Sequence, residues 1–213
     1  MSVGFGVVLF LVSLGYGLQY ILIGNLVTTQ DSLVTMQAAY PSEANLTFSN
    51  KDVVSLRGLP NVVEAVPVGD FSGEVTETTV ERPALISMRV VEPAYFRLTG
   101  SAPSFGKAFA TSSPGVVVTS QTLNLMGLST TTSVLGTLVD FSVNYEDNLH
   151  GTTTITHSTH SLPIVGVISD DTQTPLLMLQ PEAVAFPPTF FQSVLIKADS
   201  VNTVESVRNE LIS

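Results

Sequence analysis

No cysteine occurs in this sequence. That excludes a disulfide framework, thiolate metal sites and cysteine nucleophiles. Basic residues are scarce as well: eight Lys and Arg stand against eighteen Asp and Glu, a formal charge of −10. The eight are scattered as Lys51, Arg57, Arg82, Arg89, Arg97, Lys107, Lys197 and Arg208. Nucleic-acid binding needs clustered cations that displace counterions from phosphates, so this composition argues against it. The same scarcity excludes a polybasic patch for an anionic leaflet. Residues 1–30 carry no charged side chain at all, whereas from Asp31 onward the chain reads as a water-soluble sequence.

Signatures of catalysis are missing too. There is no G-x-S-x-G elbow and no H-E-x-x-H pair. Gly100 and Gly106-Lys107 resemble a phosphate loop only on the surface. Five residues separate the glycines rather than four, and Ala108 replaces the hydroxyl residue that follows the lysine. This stretch reads as a turn. His150, His157 and His160 sit in a Thr-rich run with Glu146 and Asp147 nearby, and residues 146–161 are expected to form a polar hairpin loop rather than a metal site. Asp170-Asp171 reads as a turn. Neither an enzyme nor a metal or cofactor site in this chain is expected.

What is present begins with an apolar run from Val3 to Ile23. A helix needs roughly 20 apolar residues to cross a bilayer core, and it satisfies its own backbone hydrogen bonds there. No basic n-region precedes the run and no A-x-A site follows it, so a transmembrane helix is preferred over a signal peptide. The missing basic flank leads to the expectation that the natural protein extends before Met1.

Beyond the span, Ser32–Ala38 reads as a strand. Residues 50–59 read as a helix capped by Ser49 or Asn50, with Asp52 at its positive end and Gly58-Leu59-Pro60 as its stop. Asn61–Val68 is the next strand, completing a β-α-β unit. The middle is rich in Val, Thr, Ile and Phe between turn residues, which predicts strands at 74–81, 84–91, 115–119, 134–144 and 162–168. A helical turn is expected near Pro93–Phe96 and a short helix over Thr119–Leu128. At the end, Gln192–Ala198 reads as a strand. Asp199 or Ser200 then caps a helix with Val201, Val204, Val207 and Leu211 on one face. No strand follows that helix, so the natural protein is expected to continue past Ser213.

Several stretches, in order, resemble the MacB/FtsX-like ABC-transporter permeases. These are SLGYGLQ (Ser13–Gln19), DVVSLRGLPNVVEAVPV (Asp52–Val68), YFRLTGSAPSFGK (Tyr95–Lys107), GVVVTSQTLNLMGL (Gly115–Leu128), SVLGTLVDF (Ser133–Phe141), LPIVGVISDD (Leu162–Asp171) and VLIKADSVNTVESVRNEL (Val194–Leu211). Tyr16 departs from the family pattern, which often has an acidic residue there.

The resemblance implies an α+β fold with an N-terminal transmembrane helix and a two-lobed extracytoplasmic domain. The helix and its exit would take residues 1–30. One α+β lobe would be assembled from 31–70 and 191–213, and a β-rich lobe over 71–190 would be inserted between them. It implies a permease part in the cell membrane, mostly extracytoplasmic, that couples ATP-driven helix motion to export or extraction of a substrate. ATP would bind a separate ATPase subunit. A second permease copy and a periplasmic adaptor or lipoprotein are the further partners implied. Gly15, Gly17, Gln19 and Gly24 are the candidate coupling residues. Phe186, Phe190 and Phe191, in a Pro/Phe-rich segment, are candidates for an interaction surface. The alternative reading is a singly anchored binding or scaffold module of the cell envelope.

Overall fold

A computed structural model describes residues 34–40, 46–76, 83–109, 114–147, 154–169, 175–181 and 190–212. The transmembrane helix expected over Val3–Ile23 lies outside these residues. Among the described residues no helix is long and apolar enough to cross a membrane. The fold is α+β and strand-rich.

Strand β1 (Thr35–Ala39) lies where the sequence predicts it, and a two-residue strand β2 (Phe48–Ser49) leads into helix α1 (Asn50–Arg57). Ser49 is the cap. Its backbone N–H and hydroxyl each donate to the Asp52 carboxylate at 2.8 Å, while its hydroxyl accepts from the Asp52 N–H at 3.4 Å. This reciprocal box satisfies amides that the first helical turn leaves orphaned. The last helix, α4 (Val204–Ile212), is preceded by a 3₁₀ turn over Val201–Thr203 with Ser200 as its cap. The tighter turn shifts the phase of the apolar stripe. Val207 is buried, and Val204 and Leu211 pack beside it, but Val201 is 62% exposed. The four-residue stripe read from the sequence therefore loses its first member.

Strand β3 (Val62–Val75) is longer than expected, running past Val68 where the sequence reading ends it. Strand β4 (Ala84–Val91) pairs with it without interruption from Val68 through Val75, so the ladder overrides the turn-like Gly69-Asp70. The separate strand predicted at 74–81 is corrected accordingly: its first residues end β3, and 77–82 lie outside the described residues.

After β4 come α2 (Ala94–Thr99), β5 (Phe105–Gly106), β6 (Val116–Thr119) and α3 (Ser120–Leu125). Then follow β7 (Leu138–Asp147), β8 (Thr154–Ile168), β9 (Leu176–Leu179), β10 (Phe190–Phe191) and β11 (Ser193–Ala198). The polar loop expected over 146–161 is also corrected. Strands β7 and β8 pair from Leu138↔Pro163 out to Asp147↔Thr154, so most of that segment is ladder. Its alternating threonines favour a strand, and β-branching outweighed the polarity that suggested a loop.

Two arrangements follow from the pairing. In the first, β11 lies antiparallel between β1 and β3, which makes β1 and β3 parallel to one another. The β-α-β unit is thus split by the last strand of the chain. One face of this sheet presents Met36, Ala38, Ala65, Val194, Ile196 and Ala198 to Val53 and Leu56 of α1 and to Val204, Val207 and Leu211 of α4. Its other face, with Val66, Val68 and Leu195, packs on Tyr95, Phe96 and Leu98 of α2.

In the second, β3 pairs β4, β4 pairs β9, β9 pairs β6, β6 pairs β8, β8 pairs β7 and β7 returns to β3. The ring closes into a six-stranded barrel. Its interior holds Val75, Met88, Val118, Phe141, Ile164 and Leu177, so all six strands contribute to one core. A barrel of about eight strands is just wide enough for side chains to fill, so six strands leave a packed interior rather than a ligand chamber.

Gly73 is essential to that packing. A Cβ there would stand 2.3 Å from the Ser142 carbonyl oxygen and 2.5 Å from Met88 Sδ. Replacing Gly73 with Ala is expected to cost about 1–3 kcal/mol by overpacking, read as a lower urea midpoint with an unchanged m-value. Removing the Ser49 hydroxyl (Ser49→Ala) is expected to cost about 1 kcal/mol by the same measurement.

The Ser49 backbone and hydroxyl hydrogen bonds hold the Asp52 carboxyl below the usual carboxylate range. Its folded pKa is thus lower than its unfolded one. The stabilisation is fully present above the ordinary carboxylate pKa and is lost as pH falls through the depressed value. Asp52→Asn should shallow the acid limb of a stability–pH curve. An unchanged limb would refute the role of this cap.

Candidate functional site

The candidate coupling residues Gly15, Gly17, Gln19 and Gly24 lie outside the described residues, as do Phe186, His150 and Asp170-Asp171. The two remaining members of the phenylalanine group separate. Phe191 is buried beside Phe48 and Val53, where it packs the core rather than presenting a surface. Phe190, its neighbour on the other face of β10, is 57% exposed. Strand β10 pairs with β2 in register Phe190↔Ser49 and Phe191↔Phe48, which holds both against the start of α1.

The glycine-lysine stretch is a structural turn. Gly100 ends α2 in the left-handed region at φ 69°, and Gly106 adopts φ 76° where β5 meets β8. The Ser104 N–H donates to the Val167 carbonyl at 2.8 Å and the Lys107 N–H to the Val165 carbonyl at 2.9 Å. Amides spent on a ladder cannot cradle a phosphate.

His157 and His160 lie on β8, opposite Asn144 and Phe141 of β7. The His160 ring stacks on Phe141 with centroids 5.5 Å apart, and partial burial lowers its pKa. Among the described residues no group of three His, Asp or Glu side chains converges as metal ligands would.

Three ion pairs tie helices and strands together. Arg57 of α1 reaches Glu92 at 2.9 Å while its Nε donates to the Ala65 carbonyl at 2.9 Å. Arg97 of α2 pairs with Glu64 of β3. Arg89 of β4 forks onto both carboxylate oxygens of Asp70, at 2.6 and 3.2 Å, and donates to the Tyr95 hydroxyl at 2.9 Å. Burial alone would make Arg89 easier to deprotonate. The hydrogen bonds and electrostatic attraction of Asp70 and Tyr95 together outweigh it and raise the pKa, so the guanidinium stays charged. These pairs brace the junction of sheet and barrel and show no nucleophile or base.

Among the described residues, a groove of about 770 Å³ lies beside β1. Every residue from Met36 to Tyr40 lines it, facing Leu56 and Leu59 at α1 and Val204, Arg208 and Leu211 of α4. Tyr40 stacks on Phe48 at one end, with ring centroids 4.6 Å apart. Nothing in it resembles a catalytic constellation; it offers an apolar wall, polar helix residues and a strand edge, which suits binding. Sequence reasoning missed the groove, although the alternation Met36, Ala38 and the stripe Val204, Val207, Leu211 mark the faces that meet there.

Comparisons with known proteins agree with this architecture. Among curated proteins none matches. Among solved structures, the extracellular domain of the noncanonic ABC-type transporter YknZ from Gram-positive bacteria is similar, with a TM-score of 0.56 and 16% identity over 81% of this chain and 88% of that one. The periplasmic region of MacB from Actinobacillus actinomycetemcomitans is similar as well, with a TM-score of 0.57 and 15% identity over 84% and 83% of the two chains. Residues 1–213 match the MacB-like periplasmic core domain. With that match spanning every residue, the chain belongs to the MacB-like periplasmic core domain family, as its resemblance to MacB/FtsX-like permeases implies.

Proposed function

We propose that this chain is the extracytoplasmic part of an ABC-transporter permease and carries motion from membrane helices to a substrate outside the cytoplasm. The observation that carries the reading is the family match over the whole of residues 1–213. The apolar run Val3–Ile23 serves as the first transmembrane helix, and Gly15, Gly17, Gln19 and Gly24 form its exit toward β1. ATP binds a separate ATPase subunit, and a second permease copy completes the transporter. A periplasmic adaptor or lipoprotein is the partner on the outer side.

In this reading the domain has two lobes, the β1-β11-β3 sheet with its helices and the barrel. Strand β3 supports the coupling because one continuous backbone enters both. A displacement of the sheet is passed along that strand rather than absorbed in a linker.

The lack of cysteine in this sequence makes it convenient for labelling. With the complete permease and its ATPase in lipid discs, a nitroxide at Leu85→Cys, a 70% exposed position, reads the distance between two copies. ATP is expected to shift that distance. Proline at Gln19 interrupts a helix at a cost of about 3 kcal/mol and is expected to abolish the shift while β11 amides keep their exchange protection. An unchanged distance on adding ATP to the unsubstituted protein would overturn the coupling role and leave an anchored binding module.

A further inference from the structure

Among the described strands, β1 is an edge. Its partner among the described strands is β11, and the sheet ends there. The Ala198 N–H donates to the Val34 carbonyl at 2.9 Å, so Val34 and Ala198 form a hydrogen-bonded pair. In an antiparallel ladder such pairs alternate, which places Met36 and Ala38 in bonding register with β11 and turns the backbone groups of Gln37 and Ala39 outward. Soluble proteins blunt a free edge with charge, proline or a bulge. Thr35-Met36-Gln37-Ala38-Ala39 has no charge and no proline, and its pairing with β11 runs in unbroken register.

That edge opens into the 770 Å³ groove, where consecutive residues Met36 to Tyr40 face α1 and α4. The wall is apolar through Leu56, Leu59, Val204 and Leu211, while the carboxylates of Asp52, Glu205 and Glu210 outnumber the single cation Arg208. Arg208 is already near Glu205, at 4.0 Å, which leaves the groove's balance acidic. An uncharged strand edge beside a helix, with an apolar wall and an acidic rim, is the arrangement that receives an extended peptide as an added strand.

We propose that this groove docks an extended segment of a partner protein, adding to β1 as a further strand. The face it turns to α1 and α4 carries apolar side chains interspersed with Lys or Arg. Backbone hydrogen bonds to Gln37 and Ala39 would supply the pairing. The apolar wall would take alternate side chains, and Glu205 and Glu210 would select cationic over acidic segments. The inference stands on the groove alone and does not depend on the transport reading.

The test uses the full chain in lipid discs and a fluorescein-labelled peptide, Lys-Thr-Val-Thr-Lys-Thr-Val. Saturable anisotropy is expected. Replacing both peptide lysines by glutamate should weaken binding by at least about tenfold, as charge complementarity requires. Methylating alternate peptide amides should weaken it by about tenfold or more, because strand pairing loses its donors. Ala39→Pro should weaken it by about fivefold through one lost backbone donor, since an edge strand tolerates proline without unfolding. Glu205→Lys, a surface change that keeps the fold whatever proline does, brings the groove to a neutral balance and should abolish the preference for lysine over glutamate peptides. Absence of saturation, or equal binding of the methylated peptide, overturns the proposal. A concentration-dependent dimer of the chain alone that Ala39→Pro abolishes would also overturn it, by assigning the groove to a second copy. None of these outcomes bears on the ATP-dependent distance, so the two readings fail separately.

Discussion

Everything in this structure depends on the unbroken backbone of Val62–Val75. Its first half is bonded on one side to β11, and its second half is bonded on both sides, to β4 and β7. A single strand therefore belongs to an open sheet at one end and a closed ring at the other. Gly73 makes the second half possible, because only a position without a side chain lets Met88 and the Ser142 carbonyl come so near. The ion pairs of Asp70 with Arg89 and of Glu64 with Arg97 lie along this strand and fix neighbouring elements to it. Exposed pairs of this kind contribute little each, so their role is alignment rather than bulk stability.

The two regions reach stability by different routes. The ring removes strand edges by closing, and its core is a filled interior of Val, Ile, Leu, Met and Phe. The open sheet instead buries both faces, one under α1 and α4 and the other against α2. That is why Ser193–Ala198 reads as an almost continuous buried run rather than an alternating one.

Local structure was legible in the sequence wherever a local signal decided it. Ser49 and Asp52 announce α1, Ala84–Val91 is a mostly apolar run of the observed length, and Ser200 marks the final helical segment. Closure was not legible. It rests on Leu176–Leu179, four apolar residues between Pro175 and Pro181 whose type no periodicity can settle. The same limit applies to the candidate site. Phe190 and Phe191 looked equivalent in sequence, yet strand alternation sends one to solvent and the other into the core. The groove beside β1 needs residues from both ends of the chain, so no local pattern could have disclosed it.

The position of β11 between β1 and β3 has a consequence for biogenesis. Thr35 sits opposite Lys197, so the first described strand meets its partner only after almost the entire domain has been synthesised. Strand β4 likewise waits for β9, through the register Ser87↔Leu176. Contacts so distant in sequence fold slowly and leave apolar surface uncovered in the interim. A chain emerging N-terminus first leaves β1 and the first half of β3 without their shared strand partner until Ser193–Ala198 arrives. Productive folding of this domain is therefore a C-terminal event, and the period before it is when chaperones and proteases have their chance.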